Sequence, residues 1–94
     1  MAVAAQFKIN KTFNIVGMGL VLTGEILDGE IHSGFILEAP FEKNIIQYKI
    51  IAVEIVDYIS KGESETALIL EQINKEAAAD LHAILGKTVL ILKS

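Results

Sequence analysis

Cysteine is absent from the chain, which excludes disulfides, thiol nucleophiles and cysteine-based zinc sites. Arginine is absent too: all eight basic side chains are lysine, against twelve acidic ones, for a net charge of −4. Nucleic-acid binders cluster cations, and arginine's planar fork is the favoured grip on phosphate. The charge balance therefore makes nucleic acid an unlikely ligand. Lys8 and Lys11 offer a small basic patch, but solvated strand edges are the commoner use of such lysines. No run of 18 apolar residues is present, so no membrane-spanning helix is expected. The N-terminal stretch MAVAAQF has no basic residue ahead of its short apolar segment and is too brief for a signal peptide, so the expected location is the cytoplasm.

What the chain does have is aliphatic bulk. Hydrophobic residues make up 52% of its 94 residues and the mean hydropathy is +0.50. Isoleucine, leucine and valine dominate, which favours strands over a helical bundle. The length suits one domain spanning residues 1–94, with a single core.

Alternation places strands along most of the chain. Over residues 7–15, Phe7, Ile9, Phe13 and Ile15 fall on one face, with Lys11 breaking the row and marking a bend. Residues 20–27 are apolar on both faces apart from Thr23 and Glu25, so part of the outer face is expected to meet another element or another chain. Residues 35–39 form a third strand ended by Pro40, which has no N–H for a ladder. A turn follows at residues 42–44. Residues 45–59 make a strand long enough to bend and serve two parts of a barrel. A polar loop is expected at 60–64, then strands at 66–70 and 88–92. Between these two strands the period changes. Asn74 suits an N-cap, Glu76 and Asp80 suit a first turn, Ala77, Ala78, Leu81, Ile84 and Leu85 share a face, and Gly86 suits a stop. A short helix near residues 75–85 is therefore expected.

Residues 13–37 carry the most specific pattern. Glycines at 17, 19, 24, 29 and 34 punctuate β-branched and leucine-rich runs. Gly17 and Gly19 suit a turn needing positive φ, Asp28-Gly29 reads as a hairpin signal, and Ser33-Gly34 as a further turn. Gly24, inside a strand, marks a bend or bulge. With Phe13, Ile15, Val21, Leu22, Thr23, Ile26 and Ile31, these glycines fall without a gap on a motif of the second domain of translational GTPases of the elongation factor Tu type. The chain resembles that β-barrel as a free-standing domain. The resemblance implies a mainly all-β fold, a small closed six-stranded Greek-key barrel of the translation-protein type, with the structural motif on Gly17, Gly19, Thr23, Gly24, Gly29 and Gly34. It also implies a translation role in contact with tRNA, the ribosome or a GTPase. Met18 and Glu25 stand where that family places basic residues.

No constellation for catalysis appears. Gly86-Lys87-Thr88 lacks the earlier glycine and following helix of a phosphate-binding loop, and Gly17-Met18-Gly19 lacks the third glycine of a dinucleotide fingerprint. His32 and His82 would need to converge with carboxylates such as Glu30 or Asp80 to hold a metal, and nothing in the spacing requires it. Ser33, Ser60 and Ser64 have no histidine at a diagnostic spacing. Glu54, Asp57, Glu63 and Glu65 gather around a polar loop, which reads first as a solvated segment. The expectation is a non-enzymatic module without cofactor or metal. It would contact a protein partner or a copy of itself, with Met18, Leu20, Glu25, Leu81 and Ile84 as candidate interaction surface. Small size and acidity also fit an inhibitor of a basic protein.

Overall fold

The computed structural model describes residues 2–17, 19–41, 45–58, 62–73 and 81–93. Among them, six antiparallel strands form one sheet: β1 (Val3–Ile15), β2 (Gly19–Gly29), β3 (Ile36–Pro40), β4 (Ile45–Tyr58), β5 (Glu63–Gln72) and β6 (Thr88–Leu92). Around the sheet they run β1-β2-β5-β4-β3-β6, and β6 pairs back onto β1, so the sheet closes on itself as a barrel. β3, β4 and β5 are successive neighbours, and β6 returns to lie beside β3. That spatial order, β6-β3-β4-β5, is a Greek key.

Alternation fills the interior. Phe7 and Ile9 of β1, Leu22 of β2, Leu37 and Ala39 of β3, Ile46, Tyr48 and Ile50 of β4, Leu68 and Leu70 of β5, and Val89 and Ile91 of β6 are buried in one cluster. Register puts them opposite one another, as in Leu22 with Leu68, Leu70 with Ile50, and Leu37 with both Tyr48 and Ile91. The two connections that cross the ring each contribute one isoleucine to the same cluster. Ile31 follows the end of β2, and Ile84 precedes β6, approaching from the opposite end of the ring.

Three features depart from the sequence reading. First, Asp28-Gly29 does not make a hairpin. Gly29 ends β2 with φ 81, but β2 pairs with β1 and β5, so the chain crosses the ring to reach β3. Second, the described end of the expected helix is a 3-10 turn, Leu81–Ile84, followed by Gly86 at φ 77. Four residues are too few for an α-helical ladder, and the turn is held by a bond from the Gly86 N–H to the Ile9 carbonyl (2.7 Å). Residues 74–80, with the expected cap at Asn74, lie outside the described residues, as do the turn at 42–44 and residues 60 and 61 of the loop expected at 60–64. Third, Glu63 and Ser64 of that loop already belong to β5.

A bulge in β1 decides what the surface looks like. Ile9 lies opposite Gly24, and Lys11 opposite Thr23, so Asn10 is an extra residue on β1. An extra residue shifts the inward and outward alternation by one. Phe7 and Ile9 therefore point inward, while Phe13 and Ile15, expected on the same face, are turned outward and are 42% and 41% exposed. β4 bends in the same way: Ile50 faces Leu70 and Ala52 faces Ile69, leaving Ile51 extra. Among the described residues no helix is long and apolar enough to cross a membrane.

Candidate functional site

The outer face across four strands carries an apolar row. Phe13, Val21, Ile69 and Ala52 stand opposite one another from β1 through β2 and β5 to β4, Phe13 exposed, Ile69 and Ala52 half-buried and Val21 buried between them. Ile15 and the fully exposed Val16 extend the row to the tip of the β1-β2 hairpin. The tip itself is shaped by Gly17 and Gly19, at φ 85 and 98, values that an L side chain rarely adopts. Between them Met18 lies outside the described residues. Beside the row, Thr23 is 3% exposed, flanked across the strands by Lys11 and Ala67. Its Oγ1 is buried with no hydrogen-bond partner among the described residues.

The other members of the expected interaction surface are distributed differently. Leu20 is half-buried and packs on the core. Ile84 is 0% exposed and belongs to that core, so it cannot meet a partner. Its position on a helical face pointed to the surface, but the 3-10 turn directs it into the ring. Leu81 starts that turn, and its side chain is outside the described residues. Glu25 is exposed and stands opposite Lys8.

Glu25 also lines a cleft of about 670 Å³ with Asn10, Lys11, Gly24, Ile26, Ile55, Glu63, Ser64, Glu65 and Thr66. The Asn10 side-chain amide donates to Glu65 Oε2 at 2.7 Å, joining β1 to β5 across β2. The acidic grouping near residue 63 was visible in the sequence as a solvated loop. Its placement beside Glu25, Asn10 and Gly24 was not, because only the barrel register brings these strands together.

His32 is exposed, with Nε2 3.4 Å from Glu30 Oε2 and its ring edge-on to Phe35 at 5.4 Å between centroids. Among the described residues no group of three or more histidine or acidic side chains is placed to hold a metal ion. The titration behaviour that stands out is that of Tyr48, whose phenol is pushed above its ordinary value by burial in the barrel.

Fold and surface together define a class: a closed antiparallel all-β domain with an outward apolar row and an acidic cleft. Comparison with known protein families, with curated proteins and with solved structures finds no match to this chain.

Proposed function

We propose that this chain is a non-catalytic binding or assembly module of the cytoplasm, which contacts a protein partner or a second copy of itself through apolar strand surface. The observation that carries this reading is the outward turn of Phe13 and Ile15 at the Asn10 bulge, which with Val16 leaves three exposed apolar side chains at one end of β1, beside the half-buried Ile69 and the buried Val21. Exposed apolar side chains scattered singly are ordinary, whereas a contiguous row is a feature of interaction surfaces. Light scattering across a concentration series, with binding of an apolar-surface dye, tests it. Concentration-dependent association or dye binding is expected, and a strict monomer that binds no dye overturns it.

A second reading is a translation-associated accessory domain, with the barrel type that the motif over residues 13–34 implies. Its support is the gap-free pattern of glycines, whose members 17, 19, 29 and 34 stand at positive φ. Fluorescence anisotropy with labelled tRNA is the test, and salt-sensitive binding is the expected sign because phosphate contacts release counterions. The acidic balance and the absence of arginine weigh against this reading.

A further inference from the structure

The closed sheet forks at one place. β2 and β5 are paired from Leu20 opposite Leu70 to Gly24 opposite Thr66, and the pairing stops there. Both strands nevertheless extend past that point. β2 continues against β1 alone, with Glu25 opposite Lys8 and Ile26 opposite Phe7. β5 is held there by β4 alone, with Glu65 opposite Val56 and Ser64 opposite Asp57. Among the described residues, each strand thus turns one lateral edge toward the other with no ladder between them.

The 670 Å³ cleft lies in this fork. Alternation shows that it is an opening between strands rather than a hollow on one face. Ile26, Ser64 and Thr66 share the parity of the inward Leu22 and Leu68, whereas Glu25, Glu63 and Glu65 have the opposite parity, yet all six line it. Side chains of both parities bordering one space fit a parting of the sheet at its rim, where the pairing of β2 with β5 has ended.

We propose that the fork receives an extended segment of a partner protein, centred on a lysine or arginine flanked by aliphatic residues. The proposal rests on the reading of this chain as a protein-binding module, and it names a surface other than the Phe13 row. The chemistry of the two sides selects the occupant. A strand laid between β2 and β5 adds to an existing sheet edge, as in strand-addition recognition, and its side chains alternate between the two faces. On the inner side they meet Ile26 and the exposed Ile55, with the hydroxyls of Ser64 and Thr66 beside them. On the outer side, among the described residues, they meet the carboxylates of Glu25, which stands opposite Lys8, of Glu63, and of Glu65, which accepts from Asn10, with the ammonium of Lys11 beside them. Aliphatic inward and basic outward is the complementary pattern. The same carboxylates repel phosphate, which disfavours a nucleic-acid strand. Three residues of edge on each side, 25–27 and 63–65, span about 10 Å, the length of a short recognition motif.

The test is an NMR titration of the isotope-labelled full chain with two capped peptides, one alternating valine with lysine and the other valine with glutamate. The lysine peptide is expected to shift the amide signals of residues 24–26 and 63–66 saturably. The glutamate peptide is expected to bind more weakly by about tenfold or more, since like charges are brought together. The double variant Glu25→Lys/Glu63→Lys, at two exposed positions, is expected to abolish the response while leaving the remaining spectrum in place. Absence of shifts, equal shifts with both peptides, or a response to a short oligoribonucleotide instead overturns the proposal. Phe13→Lys separates the two readings. A peptide response that vanishes with Phe13→Lys and survives the charge reversals sinks the fork site and leaves the module reading standing.

Discussion

Gly24 of β2 lies opposite Ile9 of β1 with no room for a methyl group at its α-carbon. A Cβ built there would collide with the carbonyl oxygen of Lys8 and stand 3.1 Å from Phe7 Cζ. The obstacle is main chain, so a rotamer change cannot relieve it. Gly24 also faces the β1 bulge and is the last β2 residue paired with β5, so one missing side chain serves both the bend and the fork.

Gly24→Ala is therefore expected to destabilise the fold by roughly 1–3 kcal/mol, the usual cost of forcing extra atoms into a packed site. Urea unfolding is the measurement. A midpoint indistinguishable from that of the parent would mean that the strands can separate freely there.

Ile84 and Val16 offer a paired comparison. Ile84 is sealed in the core, whereas Val16 is fully exposed at the hairpin tip. Ile84→Ala should cost about 2–5 kcal/mol, and Val16→Ala should stay within about 0.5 kcal/mol. Should Ile84→Ala alter self-association but not the unfolding midpoint, its role as an end cap of the barrel is wrong.

Tyr48 carries a pH dependence. Its hydroxyl is buried with no partner among the described residues, and burial raises its pKa above the ordinary 10.0. The neutral phenol is thus favoured in the folded state. Above pH 10 the unfolded chain loses this proton while the fold retains it, so the contribution to stability falls as pH rises through that range toward the folded pKa. Tyr48→Phe should remove this part of the alkaline loss and, by deleting an unsatisfied buried oxygen, leave stability at pH 7 unchanged or raised by about 1 kcal/mol. Thermal unfolding of both proteins at pH 7 and pH 10.5 decides it. A lower midpoint for the variant at pH 7 would reveal a hydrogen bond at Tyr48.

Phe13→Lys probes the outer row. Because Phe13 projects from the barrel, the change should leave the unfolding midpoint within about 0.5 kcal/mol and reduce association and dye binding. If scattering is unaltered, the row is not the contact surface.

The strands were legible because alternation is local: Phe7 and Ile9, or Ile46, Tyr48 and Ile50, announce a buried face within a few residues. The bend near Lys11 was legible as well, but its consequence was not. Placing the extra residue at Asn10, and hence Phe13 and Ile15 on the outside, requires the register with β2. Gly29 shows the same limit in another form. Its sequence states that the chain turns, not whether the next strand will be a neighbour. The fork depends on where β2 and β5 cease to pair, a relation between residues 24 and 66 that no local pattern encodes. Ile84 was misassigned because its spacing from Leu81 and Leu85 fits a helical face, whereas a short turn over the mouth of the ring gives that side chain an interior to fill.

Closure of the ring by β1 against β6 also carries a kinetic consequence. Lys8 is paired with Thr88, and the Lys93 N–H reaches the Ala2 carbonyl at 3.0 Å, so the final seam joins segments from opposite ends of the described chain. Contacts of such sequence separation carry a large loop-closure cost before they contribute stability, and domains rich in them fold slowly, on the order of milliseconds to seconds. During synthesis β1 must wait for β6 to emerge, its edge open to whatever strand arrives first.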